Sequence, residues 1–223
     1  LHRRRHSFPT RRSSDLATKG GWSSFMAKEI SEEPQAVADT IRGRIKDGLV
    51  HIDGFDAKAL AGIERIIVLG CGTAAYSGLV GKYAIEQWAR IPVDVELSHE
   101  FRYREPVLGP NTLVVSVSQS GETMDTLMAV KYAREIGART LSICNTQGAT
   151  IPRESDDVIY THAGPEVAVA STKAFVAQVT ALYLLGLAIG QSNGKVDPAT
   201  LASVVRDLEA TPTLIEKIGR AHV

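Results

Sequence analysis

Cysteine is scarce in this chain: Cys71 and Cys144 are the only two among 223 residues. Each closes an apolar run, which suits reduced core thiols rather than a secreted disulfide framework, so a cytoplasmic compartment is expected. An uninterrupted apolar run of about 18 residues is also missing. The most hydrophobic stretch, residues 174–190, has a helical period and holds Gln178 and Thr180, so no membrane span is expected. His51, His99 and His162 show no metal-ligand spacing, and no two carboxylates stand out as an acid/base couple. Neither a metal nor a cofactor is implied. There is no internal repeat, and with 44% apolar residues the chain can bury one full core, with room at most for a second small domain.

Basic and acidic residues balance at 25 each, but unevenly along the chain. Residues 1–16 are Ser/Arg-rich without hydrophobic period, and His6-Ser7-Phe8-Pro9-Thr10-Arg11-Arg12-Ser13-Ser14-Asp15-Leu16 resembles translated sequencing-adaptor DNA. Ile218-Gly219-Arg220-Ala221-His222-Val223 resembles the opposite adaptor read the same way. Both segments are expected to be non-native. The competing reading is a basic arm for nucleic acid built on Arg3, Arg4, Arg5, Arg11 and Arg12. Setting those five, Arg220 and Asp15 aside leaves 19 basic and 24 acidic residues, a body of net −5 and a poor polyphosphate binder. No nucleic-acid partner is expected. The remaining divisions are a lead segment and helix over 17–55, the main domain over 56–192 and a trailing helix over 193–217.

Hydrophobic period organises the body. Val37, Ile41 and Ile45 recur at four-residue spacing after Phe25-Met26-Ala27-Lys28-Glu29-Ile30, which predicts an amphipathic helix running to Lys46. From Glu64 the pattern changes: 65–69 is a continuous β-branched run ending in Gly70, and further strands are read at 93–97, 112–117, 140–144 and 157–160. Runs of this kind mark strands covered on both faces. Helical periods over 74–88, 122–136 and 171–190 alternate with them, and a further helix spans 198–217. The expected fold class is α/β, a doubly wound parallel sheet of about five strands with helices on both faces.

In such a sheet ligands collect beyond the carboxyl ends of the strands, where helix N-termini point free N–H groups outward. Three strand-to-helix loops are rich in glycine or hydroxyl residues: Gly70-Cys71-Gly72-Thr73, Ser118-Gln119-Ser120-Gly121-Glu122-Thr123, and Val169-Ala170-Ser171-Thr172-Lys173. The second offers three hydroxyls, an amide and a glycine that permits close backbone approach at the start of a helix. It reads as a phosphate cradle, since an N-cap needs one hydroxyl and not three. Without a lysine or Walker pattern it suits a monoester phosphate on a small metabolite. Gly70-Cys71-Gly72-Thr73-Ala74-Ala75, with Glu96 about 20 residues on, also has the spacing of a dinucleotide fingerprint, but a lone match is weak and leaves the 118–123 loop without a purpose. Cys71 as a thiolate nucleophile lacks an identifiable base. For the third loop, Ser171 as a plain N-cap and Lys173 as a solvated charge stand level with a ligand role.

Taken together, Leu69-Gly70-Cys71-Gly72-Thr73, the 118–123 loop and Val169-Ala170-Ser171-Thr172-Lys173-Ala174-Phe175 resemble the sugar isomerase (SIS) domain family. Within it they are most similar to the first SIS domain of the glutamine–fructose-6-phosphate aminotransferase (isomerizing) family, over about residues 20–191, with Glu100-Phe101-Arg102-Tyr103 resembling its post-strand segment. The resemblance implies a fragment of an amino-sugar-forming transferase that binds fructose 6-phosphate or glucosamine 6-phosphate on the way to UDP-GlcNAc. It implies that Ser118, Gln119, Ser120 and Thr123 hold the phosphate, that Cys71, Gly72 and Thr73 line the sugar, and that Val169 and Ser171 contact its hydroxyls. Ala74 departs from family members with serine there. No catalytic residue is implied here, because the family's glutaminase domain and the carboxylate, histidine and lysine of its chemistry lie in other parts of the polypeptide. A homodimer is implied for the full-length protein. An SIS-type sugar-phosphate sensor of a regulator, or a related sugar-phosphate isomerase or deglycase, are the alternatives.

Overall fold

The computed structural model describes residues 18–52, 60 and 62–220. The expected non-native segment 1–16 lies outside them, as do the boundary at 55/56 and residues 221–223.

The chain opens with α1 (Phe25–Ser31) and α2 (Glu33–Ile41), followed by a hairpin of β1 (Ile45–Lys46) and β2 (Leu49–Val50). The expected single helix to Lys46 is thus interrupted twice. Pro34, which lacks an N–H, sits in the first turn of α2 and starts a new helix rather than continuing the old one. The backbone then leaves the helix at Arg42 (ψ 124°). Asp47 and Gly48 both take positive φ, 55° and 75°, the signature of a tight two-residue hairpin turn. Ile45 still packs against the core, but from the hairpin.

The five expected strands form one parallel sheet. β3 (Arg65–Gly70), β4 (Val93–Leu97), β5 (Thr112–Ser118), β6 (Arg139–Cys144) and β7 (Asp157–Tyr160) lie in the order β4-β3-β5-β6-β7. Central β5 is buried along its whole length, while the edge strands β4 and β7 are only partly covered, as expected of runs enclosed on two faces at the centre and one at the rim.

Ile66, Val68, Leu113, Val115, Val117, Leu141 and Ile143 face a core shared with α2, α3 (Thr73–Ala89), α7 (Lys173–Ser192) and α8 (Pro198–Arg220). On the other side, Ile67, Leu69 and Val114 pack under α4 (Ser98–Phe101) and α5 (Met124–Glu135), with α6 (Thr150–Arg153) beside them. The sheet is therefore wound on both faces. α7 has the length and hydropathy of a membrane-crossing helix, yet Leu182, Leu184, Leu185 and Leu187 are all fully buried within the fold. A helix apolar on every side is what a position at the centre of a core demands. The trailing helix α8 continues past Lys217 to Arg220.

Candidate functional site

The chain leaves β3 through α3 toward β4 on one side, and later enters β5 on the other side of β3. Connections diverge at the carboxyl ends of β3 and β5, and this switch point opens a crevice in a doubly wound sheet. An open cavity of about 240 Å³ occupies it. Cys71 and Thr73 from the β3–α3 turn, Ser118, Gln119, Ser120 and Thr123 from the β5–α5 loop, and Val169 and Ser171 ahead of α7 all line it. Of the nine residues that the family resemblance assigns to the ligand, Gly72 alone is not part of the described lining. It forms the N-cap of α3 with φ 56° and lets the turn place its neighbours on the wall.

The β5–α5 loop is preset by its own hydroxyls. Ser118 Oγ accepts the Gly121 N–H at 3.0 Å and lies 3.2 Å from Thr123 Oγ1. Ser120 Oγ accepts the Glu122 N–H at 3.2 Å. A serine oxygen that accepts from the backbone keeps its own hydrogen to donate; the Ser120 hydrogen is thereby left for the cavity, while Ser118 and Thr123 share one hydrogen bond in which either can be the donor, beside the N-terminus of α5, whose N-cap is Thr123. Gly121 has φ 68°, but the close approach it permits is to the protein and not to the cavity. A Cβ there would stand 2.5 Å from Ala149 Cβ and 2.7 Å from Cys144 Sγ. The Gly121 carbonyl accepts the Ile151 N–H at 2.9 Å, and Glu122 Oε1 accepts the Thr150 N–H at 2.8 Å. The loop is clamped to the segment that follows β6.

The third wall depends on carboxylates that sequence reasoning passed over. Glu166 Oε1 accepts the N–H groups of Thr172 at 2.9 Å and Ala174 at 3.1 Å, while Oε2 accepts the Ser171 hydroxyl at 3.2 Å. Glu166 therefore caps α7, and Ser171 donates to it rather than capping the helix itself. Lys173 is not a solvated charge: it is 3% exposed and bonds Glu32 Oε2 through Nζ at 2.6 Å. Glu29, buried in α1, accepts the Val167 N–H at 2.6 Å and the Ala168 N–H at 3.2 Å. Burial and, after it, the nearby Glu166 carboxylate raise the pKa of Glu33 above the usual 4.5. A carboxylate a few residues ahead of a helix start was the available signal for Glu166. For Gln178, which also lines the cavity, the signal was a polar residue inside the most apolar helix.

The rival readings lose their geometry. Glu96 lies outside the cavity lining and forms an ion pair with Arg104, so it is not placed as a ribose-binding carboxylate. Cys71 Sγ lies 3.8 Å from the Thr126 hydroxyl, which is no base. Cys144 is buried, which pushes its thiol up to about 11. Among the described residues no group of three His, Cys, Asp or Glu side chains is placed to hold a metal. Glu166 is the one charged side chain among the described lining residues, so an anion here is met by neutral donors and helix N-termini.

Fold and cavity together define a doubly wound α/β domain with a hydroxyl-lined cavity at its switch point. Residues 59–188 match the SIS domain family, and the chain belongs to that family. It is 65% identical over 205 residues to the glutamine--fructose-6-phosphate aminotransferase (isomerizing) of Leifsonia xyli subsp. xyli, a match covering 91% of this chain and 33% of that protein. Identity to the enzyme of the same name from Streptomyces coelicolor is 56% over 208 residues, covering 92% of this chain and 34% of the relative. The chain spans about a third of the length of the curated relatives it matches. Among solved structures, the C-terminal domain of glucosamine-fructose-6-phosphate aminotransferase from Francisella tularensis superposes with a TM-score of 0.85 at 38% identity, covering 89% of this chain and 57% of that one.

Proposed function

We propose that this chain is the first SIS domain of a glutamine–fructose-6-phosphate aminotransferase and that its cavity binds the sugar phosphate, fructose 6-phosphate or its product glucosamine 6-phosphate. The observation that carries the reading is the convergence of Ser118, Gln119, Ser120 and Thr123 at the N-terminus of α5 on one cavity wall. A phosphate dianion seated there takes hydroxyl hydrogens whose oxygens are already held by backbone amides, so little ordering is left for binding to impose. Cys71, Gly72 and Thr73 flank the sugar on the α3 side, and Val169 and Ser171 on the α7 side. Among the described lining residues the one carboxylate, Glu166, is committed to α7 rather than free to act as a general base. This domain supplies binding, and the groups that move protons come from the rest of the enzyme. A cytoplasmic location and a homodimer of the full-length enzyme belong to the same proposal. The net negative body argues against a nucleic-acid partner.

Isothermal titration with fructose 6-phosphate tests it. Ser120→Ala removes one donor to a charged group, about 1.5–3 kcal/mol, and so weakens binding roughly tenfold to a hundredfold. Unchanged affinity in that variant refutes the cradle.

A further inference from the structure

The cavity has a polar group that the fold itself does not satisfy. Gln178, in the second turn of α7, is 3% exposed, and its Oε1 has no hydrogen-bond partner among the described residues. Yet its side chain lines the cavity, and its neighbours in the lining include the apolar Ala74 and Val117. The hydroxyls of Ser116 and Ser142 are also buried without partners, but they lie opposite one another on β5 and β6 and do not line the cavity.

Resting on the sugar-phosphate reading above, we propose that the Gln178 amide is a ligand contact, and that its partner is a hydroxyl on the carbon chain of the sugar and not the phosphate. The atom left without a partner separates the two. A phosphate dianion can accept from the amide NH2 but has no hydrogen for the amide oxygen, which is the unpartnered atom here. A sugar hydroxyl donates to the oxygen, and accepts from the NH2 if the amide is turned over, so it satisfies Gln178 in either orientation. Position agrees with this. The phosphate donors come from the β5–α5 loop, whereas Gln178 comes from α7, which with Val169 and Ser171 borders a different wall.

The test titrates the wild-type chain, Gln178→Leu, Gln178→Met and Ser120→Ala with fructose 6-phosphate, and with inorganic phosphate followed by ligand-detected NMR. Both Gln178 variants keep the volume of the side chain and remove its polar atoms, so melting temperature is expected to hold or rise. They weaken fructose 6-phosphate roughly tenfold and leave inorganic phosphate unchanged, whereas Ser120→Ala weakens both. Undiminished sugar-phosphate affinity in folded Gln178→Leu overturns the inference. A parallel loss of both ligands together with melting temperature in both variants overturns it too, since that is the mark of a structural role. If the wild-type chain binds inorganic phosphate but gains nothing from the sugar, the inference fails while the cradle stands. If it binds neither, both readings fail.

Discussion

Replacing Gly121 by alanine isolates the contact that fixes the cradle in place. Two costs add at this position. The backbone sits at φ 68°, where a Cβ costs about 1–2 kcal/mol. That Cβ would also overlap Ala149 Cβ at 2.5 Å and Cys144 Sγ at 2.7 Å. Ala149 and Cys144 are both buried, and Ile151 holds the Gly121 carbonyl, so neither side yields without disturbing the strand end. Overpacking of this kind costs about 1–3 kcal/mol. The sum, roughly 2–5 kcal/mol, is a large fraction of the 5–15 kcal/mol typical of a domain. Gly137 provides the control: its φ is 84° and nothing lies within 4 Å of an added Cβ, so Gly137→Ala carries only the backbone cost. Urea unfolding of the two variants, read at the midpoint with the slope held common, gives the difference directly. Gly121→Ala is expected to unfold at clearly lower urea, and Ala149→Gly in the same background to recover part of the loss. If the two alanine variants unfold within about 0.5 kcal/mol of each other, the steric argument is wrong.

Two further outcomes follow from the electrostatics. Glu33 titrates above its ordinary 4.5 in the fold, through burial first and Glu166 second, so folding favours its protonated form. Stability is lost as pH rises from 4.5 through the raised value, and Glu33→Gln should raise the melting temperature at pH 7 by roughly a degree while changing nothing near pH 3. A stabilisation of equal size at both pH values contradicts that linkage. Cys144, with its thiol near 11, carries about one thiolate in a thousand at pH 8, whereas Cys71 is half-buried on the cavity wall. Iodoacetamide should label Cys71 well before Cys144 by peptide mass spectrometry, and the opposite order would refute the assignment of Cys144 to a sealed site.

The parts of the structure legible in sequence share a physical cause. Strands such as β3 and β5 are buried on both faces, so every residue is selected for apolarity and the run announces itself. The 118–123 loop was equally visible, because three hydroxyls around a glycine exceed what a helix cap requires. What escaped depended on distant partners. Glu29 looks in sequence like a solvated acid, since the N–H groups that justify burying it belong to residues 138 and 139 positions away. For Lys173 the solvated and ligand readings stood level, and the partner that decides against solvation, Glu32, is 141 residues distant. Ile45 misled in the other direction: its spacing from Ile41 matched a helix, and its burial is real, but Gly43, with φ 74°, and the Asp47-Gly48 turn deliver it to the core along a different path.

Those same long reaches set the order in which the cavity can form. Two of its walls, the β3–α3 turn and the β5–α5 loop, arise where neighbouring strands join, and their contacts close over a few tens of residues. The wall before α7 is held by side chains from α1 and its C-cap, Glu29 and Glu32, whose partners lie 138 to 141 residues away. Contacts of that separation are the slowest to close, and the segments they tether are among the first to open in the native state. The β3–α3 turn and the β5–α5 loop are thus expected to form early, and the wall ahead of α7 last, once the first helix of the fold has docked.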